Sequence, residues 1–246
     1  MSTGIAVFTF GCRTNQYESQ LLREAIVAAG NEVVLPEEAS VAIINACCVT
    51  GKAEKDCRNL IRRLSRRGLR VVVTGCFLDE SLAGLPAETY RRGQLPEELV
   101  CASVESISGF AGHLRAFVKV EDGCEGNCAY CIVPKVRGAV RSRRVADVAR
   151  EVVCLVERGW PEVVLTGVNL AAFGKDTGER LAGLIATVGR INGLRRLRLS
   201  SLEPAFFCED LLSAATDCPC FCPHFHIPLQ SGSDRILQAM GREVSA

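Results

Sequence analysis

Neither sign of charge dominates this chain: 29 Lys and Arg face 28 Asp and Glu, a formal net charge of +1. No global field advertises a nucleic-acid or membrane partner, so any basic surface must be local. Long apolar runs are also missing. Those present are strand-sized and interrupted, and the N-terminus lacks a basic region followed by an apolar core, so neither a membrane span nor a signal peptide is expected and the cytoplasm is the default location. Internal repeats and low-complexity segments are absent as well. With 246 residues and 48% hydrophobic content, the chain can bury a genuine core in one large domain or two ordinary ones.

Cysteine, in contrast, is abundant, with 14 residues. The chain lacks the small, secreted, loop-rich character in which cysteines read as a disulfide framework, so reduced thiols that serve metal are the better expectation. Cysteine is also a common small core residue, and position along the chain must separate the two uses.

Apolar periodicity sketches the elements. Ile5–Phe10 reads as a strand, and Leu21, Leu22, Ala25, Ile26 and Ala29 recur at helical spacing up to Gly30. Strands are expected at Glu32–Leu35, Val41–Ile44 and Leu69–Val73, with an amphipathic helix from Lys52 to Arg67 between the last two. Alternating strands and helices define an open, mostly parallel α/β sheet. The rhythm restarts after residues 79–109, the least patterned stretch and the expected linker. Strands at Phe117–Val120, Glu162–Thr166, Leu194–Leu199 and His224–Leu229 alternate with helices at Val145–Glu157, Leu181–Arg190 and Asp234–Met240. Four such βα units do not close a (β/α)8 barrel, leaving an open segment or a truncated barrel.

Ligands of parallel α/β sheets gather where strands end in loops. Cys12 in "FTFGCRTN", Cys47 in "IINACCVT" and Cys76 in "VVVTGC" occupy equivalent places after three strands, which points to a shared metal site. Cys124, Cys128 and Cys131 form a C-x3-C-x2-C loop after another strand, with Gly123 and Gly126 free to let the backbone wrap closely. Thiolates at this density suit iron–sulfur or zinc. Zinc normally takes four protein ligands, whereas three on a four-iron cluster leave one iron open for a small molecule.

The C-x3-C-x2-C loop with Tyr130 before its last cysteine resembles the radical S-adenosylmethionine enzymes. Together with "GCRTNQYES", "NACCVT", "VTGC", "VVLTGVNL", "RLSSLEP" and "HIPLQSGSD", the chain resembles the methylthiotransferase family throughout its length. The resemblance implies a methylthiotransferase-type α/β domain at residues 1–112 and a partial radical SAM domain at 113–246. It implies further barrel strands and an RNA-binding β-barrel beyond a truncated C-terminus. Two 4Fe-4S clusters are implied, one on Cys124, Cys128 and Cys131 that cleaves S-adenosylmethionine to a 5'-deoxyadenosyl radical, and one on Cys12, Cys47 and Cys76 that offers sulfur. By the same resemblance, the Tyr130 backbone meets the adenine, Thr166 and Gly167 border the methionine end, Ser201 and Glu203 approach the ribose, and Gln230 faces the cavity.

The implied reaction adds a methylthio group to a modified adenosine beside the tRNA anticodon. "GCRTNQYES" favours the threonylcarbamoyladenosine branch, with isopentenyladenosine or a ribosomal-protein aspartate as alternative substrates. The anticodon stem-loop and an external electron donor are then the partners. Arg62, Arg63, Arg66 and Arg67, and Arg137, Arg141, Arg143 and Arg144, are candidate phosphate contacts, although a solvated helix face is the simpler reading of the first group. Rival readings are a cluster-binding protein without turnover and a zinc protein. Cys48, Cys57, Cys101, Cys154 and Cys208 read as packing residues. In "CPCFCPHFH", Cys218, Cys220, Cys222, His224 and His226 share one face if extended, but Pro219 and Pro223 argue against a paired strand, so a metal site there is the lesser reading.

Overall fold

Two strands, β3 (Val41–Cys47) and β4 (Arg70–Cys76), are buried along almost their whole length, the pattern of a parallel sheet covered on both faces. The computed structural model describes residues 2–110 and 112–242. It divides into two compact units, Met1–Ile107 and Ser108–Ala246.

The first unit is a five-stranded parallel sheet. β1 (Gly4–Thr9) lies between β2 (Glu32–Val33) and β3, and β4 lies between β3 and β5 (Glu88–Thr89), giving the order β2-β1-β3-β4-β5. This is the doubly wound order whose strand connections diverge between β1 and β3, where a ligand crevice opens at the carboxyl ends. α1 (Arg13–Ala28) and α2 (Gly51–Arg66) follow β1 and β3. α2 follows its sequence closely: Cys57, Leu60, Ile61 and Leu64 are buried, the Thr50 hydroxyl caps the Ala53 amide at 3.2 Å, and Gly68 adopts φ +83 just beyond its end. α1 departs from the expected stripe. Its C-terminal half buries Ala25 and Ile26, whereas its first turns bury Tyr17 together with the polar Thr14, Asn15, Glu18 and Ser19. The short α3 (Asp79–Leu82) and β5 fall in the stretch without sequence pattern.

In the second unit β6 (Ala116–Lys119), β9 (Glu162–Thr166) and β10 (Arg196–Leu199) form a parallel sheet in the order β10-β9-β6. A small antiparallel ribbon, β7 (Glu121–Asp122) with β8 (Arg141–Ser142), frames the cysteine loop and the short α4 (Val133–Arg137). The remaining helices are α5 (Val145–Glu157), α6 (Leu181–Val188), α7 (Glu209–Thr216) and α8 (Asp234–Ala239).

The expected fourth strand at His224–Leu229 does not form a ladder. Within it only one isolated parallel bridge is described, His226 with Ser201 just past β10, and Phe221, three residues before it, bridges Leu197 of β10. Pro223 directly precedes it and Pro228 lies within it, and neither has the amide donor that a ladder needs. Among the described residues, no helix is long and apolar enough to cross a membrane.

Candidate cluster sites

In the first unit the thiols meet at the carboxyl edge of the sheet. Cys47 and Cys76 are paired residues at the ends of β3 and β4, and Cys12 sits at the start of α1. The Asn15 side chain lies among them: its Oδ1 is 3.5 Å from Cys12 Sγ and 3.9 Å from Cys76 Sγ, while its Nδ2 donates to the Ala46 carbonyl at 3.0 Å. Asn45 fastens this floor by donating to the Asn15 carbonyl at 2.8 Å and to Ser19 Oγ at 3.1 Å. These contacts explain the polar first turns of α1. A side chain at Gly11 would come within 2.9 Å of Cys47 Sγ, so the backbone there must stay bare, and Gly11 adopts φ +97. Arg92 brings a cation to the edge, with Nη1 3.8 Å from Cys76 Sγ.

The second set is held by the β7–β8 ribbon. Gly123, at φ +88, admits no Cβ, which would lie 2.0 Å from the Ala139 carbonyl oxygen. Asp122 Oδ1 accepts from the Gly123 amide at 2.9 Å and from Arg137 Nη1 at 2.8 Å, and Lys119 Nζ donates to Asp122 Oδ2 at 3.1 Å. The neck of the loop is thus closed by a buried ion pair. Cys124 N donates to the Gly138 carbonyl at 3.0 Å, and the Gly126 amide points at Cys124 Sγ at 3.3 Å. Burial first, then the neighbouring Cys128, Cys124 and Glu203, pushes the Cys131 thiol up from its ordinary range. The three thiols therefore share one electrostatic neighbourhood.

Beside Cys124 lies an unexpected polar pair. Glu121 is buried, and its Oε2 accepts from the Asn169 amide at 2.7 Å, while Asn169 Nδ2 lies 3.8 Å from Cys124 Sγ. Glu121 Oε1 and Asn169 Oδ1 are both buried and without a hydrogen-bond partner. Burial pushes the Glu121 carboxyl up to about 8, with the adjacent Asp122 adding to the shift. Two orphaned acceptors beside the cysteine loop form a cradle for a group rich in N–H donors. A Cβ on Gly167 would lie 2.6 Å from Glu121 Oε2, so that glycine keeps the cradle open.

Other expected site residues lie at the same carboxyl edge. Thr166 ends β9 and is buried. Ser201 bonds His226 Nδ1 at 2.8 Å, and Glu203 pairs with Arg242 at 3.2 Å. Arg242 also hydrogen-bonds Tyr130, and the Ala129 amide donates to the Met240 carbonyl at 3.0 Å, so the chain beyond α8 is fastened to the cysteine loop. Gln230 is the single non-glycine residue with positive φ, 67°, among the described residues, and it is exposed.

Sequence reasoning missed Glu121, Asn169, Asn15 and Arg242. For Asn169 the signal was its place in the loop after β9, and for Glu121 it was an acid directly behind a buried strand. Two basic residues change meaning. Arg137 is buried against Asp122, and Arg143 bonds Glu151 and the Lys119 carbonyl, so neither is a free phosphate contact. Cys48 and Cys57 do lie in the first unit's core, but Cys208 is exposed. Among the described residues, no three His, Cys, Asp or Glu side chains are placed to hold a single metal ion. A cavity of about 370 Å³ lined by Leu170, Phe173, Leu181, Leu202 and Leu211 contains none of the six cysteines.

Known proteins share this organisation. Residues 4–91 match an uncharacterized protein family, UPF0004, and residues 118–246 match the radical SAM superfamily. The chain belongs to the radical SAM superfamily, whose members use a 4Fe-4S cluster and S-adenosylmethionine. A threonylcarbamoyladenosine tRNA methylthiotransferase of Thermotoga maritima is 34% identical over 97% of this chain and 61% of its own length. One of the same name from Chlamydia pneumoniae is 38% identical over 96% and 59%. A tRNA-2-methylthio-N(6)-dimethylallyladenosine synthase of Leifsonia xyli is 34% identical over 96% and 50%. The chain thus spans about three fifths of the first two of these relatives. Among solved structures, the radical S-adenosylmethionine methyltransferase TsrM of Kitasatospora setae aligns with a TM-score of 0.64 at 14% identity, covering 98% of this chain and 63% of that one, a likeness of fold.

Proposed function

We infer that this chain is the cluster-bearing portion of a tRNA methylthiotransferase acting on a modified adenosine beside the anticodon, N6-threonylcarbamoyladenosine in the first instance. The observation that carries this reading is the presence of two cysteine triads, one at the sheet edge of each unit, each surrounded by bare glycine backbone and buried amide groups. Cys124, Cys128 and Cys131 would hold the cluster of the radical SAM fold, and Cys12, Cys47 and Cys76 a second one. When bound, the first group supplies the electron that cleaves S-adenosylmethionine and the second supplies sulfur.

The chain's own residues bind and orient. Glu121 and Asn169 would accept the methionine ammonium through the two orphaned oxygens, and desolvation in that cradle strengthens each hydrogen bond. A charged ammonium would also draw the Glu121 carboxyl back toward its ionised form. Thr166 and Gly167 would border the methionine end, the Tyr130 backbone would meet the adenine, Ser201 and Glu203 would approach the ribose, and Gln230 would face the same cavity. Asn15 and Asn45 fix the positions of the first triad. The anticodon stem-loop and an external electron donor are the remaining partners.

Anaerobic reconstitution of this chain and of two triple variants tests the reading. Replacing Cys12, Cys47 and Cys76 by alanine should remove about half of the iron and sulfide while leaving reductive formation of 5'-deoxyadenosine. Replacing Cys124, Cys128 and Cys131 should remove the other half and abolish that product. Nucleoside mass spectrometry on tRNA carrying either threonylcarbamoyladenosine or isopentenyladenosine then identifies the substrate. A parent chain that takes up iron at one triad only would sink the two-cluster assignment.

A further inference from the structure

The turn after β5 carries a cation to the first cysteine triad. β5 runs parallel beside β4, pairing Glu88 with Val72 and Thr89 with Val73, and the Tyr90 amide continues the pairing by donating to the Val73 carbonyl at 2.9 Å. Arg92 therefore leaves the sheet beside Cys76, at the same carboxyl edge. A turn fixes it there: the Gln94 amide donates to the Arg91 carbonyl at 3.0 Å, with Gly93 at φ +75 in the third place, as a type II turn requires. The two arginines part company. Arg91 pairs with Asp79 at 2.8 Å and lies 5.7 Å over the Phe77 ring, whereas Arg92 reaches both Cys76 and α1, its Nη1 3.8 Å from Cys76 Sγ and its Nε 4.0 Å from Glu18 Oε1.

The Arg92 and Glu18 side chains are only 18% and 10% exposed, so solvent and salt screen their charges weakly. Glu18 orients the guanidinium so that its Nη1 edge faces the sulfur. Asn15 does not take the same part, because it turns Oδ1 toward Cys12 and Cys76 and gives Nδ2 to the Ala46 carbonyl. At the second triad the groups that approach Cys124 Sγ are neutral, the Gly126 amide at 3.3 Å and Asn169 Nδ2 at 3.8 Å. A cation donating to a ligand sulfur favours the reduced, more negative state of an iron–sulfur centre, since hydrogen bonds to sulfur and net charge both set its potential. We propose that Arg92, oriented by Glu18, donates to the Cys76 sulfur and raises the reduction potential of the centre held by Cys12, Cys47 and Cys76. Arg92 is thus a positioning residue that acts through Cys76, a role that rests on the cluster assigned to that triad above.

Redox titration of the whole chain after anaerobic reconstitution, followed by electron paramagnetic resonance, reads the potential. The signal of the first centre is the one missing when Cys12, Cys47 and Cys76 are replaced by alanine. Arg92→Gln should lower the ratio of reduced to oxidised first centre about tenfold at a fixed potential, a shift of about 59 mV for one electron. Glu18→Gln leaves the cation without its counter-charge and should move the same signal the opposite way. The second signal should stay in place in both variants. Shifts of opposite sign exclude a general loosening of the site, which would move both variants alike. An unmoved first signal in a variant that keeps its iron, a shift of both signals together, or loss of iron with no change in the potential of the centres that remain would overturn the role of Arg92. A parent chain without iron at the first triad would remove the two-cluster reading and this role with it, so the two failures are told apart. Either variant gives a signed shift by itself, so misfolding of one leaves the other to decide.

Discussion

Glu121→Gln isolates the cost of the acid buried beside the cysteine loop. In the cluster-free chain the carboxyl is shifted from its ordinary 4.5 to about 8, chiefly by burial. Between those values the folded chain holds a proton that the unfolded chain has released. Stability from this group is therefore complete below about pH 4.5 and is lost as pH rises through about 8. One proton per molecule corresponds to about 1.4 kcal/mol per pH unit, or at most about 5 kcal/mol across the window. Glutamine is neutral throughout and keeps the acceptor for the Asn169 amide, so the variant should match the parent near pH 5 and exceed it by about 2–3 kcal/mol at pH 7.

Urea unfolding at several pH values, followed by fluorescence, gives the comparison. The chain's single tryptophan, Trp160, lies in the second unit and reports that unit's transition. Other titrating groups cancel in the difference between variant and parent. Parallel pH profiles would refute the reasoning, since they would mean that Glu121 is ionised in the folded chain.

Three further outcomes are expected. Gly123→Ala forces a side chain into a left-handed position against the Ala139 carbonyl and should cost about 2–4 kcal/mol, with loss of iron from the second unit only, as measured by reconstitution and iron analysis. Asn45→Ala leaves the Asn15 carbonyl and Ser19 without their donor and should destabilise the first unit by about 1–3 kcal/mol in chemical unfolding, with less iron held at Cys12, Cys47 and Cys76. Arg242→Ala removes the partner of Glu203 and should cost about 1–3 kcal/mol; hydrogen exchange at the Ala129 amide should speed up, and Arg242→Lys should restore it in part.

The placement of the two sets of three cysteines was legible in the sequence because each set lies at or just beyond strand ends, and strand order was not needed to see that these positions fall at sheet edges. α2 was equally legible, since one apolar stripe fixes which face it buries. α1 was read less well, because its first turns bury Asn15 and Ser19 against Asn45, a residue of β3 whose closeness only the sheet order creates. The expected strand at His224–Leu229 carries a suitable apolar pattern, but Pro223 before it and Pro228 inside it limit this stretch to isolated bridges.

Local rules thus determined two α/β units, a C-x3-C-x2-C loop and the strand ends that carry the other three thiols. Tertiary structure decided which polar groups surround those thiols. Glu121 and Asn169 are 48 positions apart, and nothing in either neighbourhood says that they meet. They do so because β6 and β9 are adjacent parallel strands whose loops leave the sheet at the same edge. Glu203 and Arg242 are brought together in the same way, by elements distant in sequence that share one edge in space. Burial then gives Glu121 its chemical character, because a carboxyl is held toward its protonated form where the fold has removed the water that would ionise it.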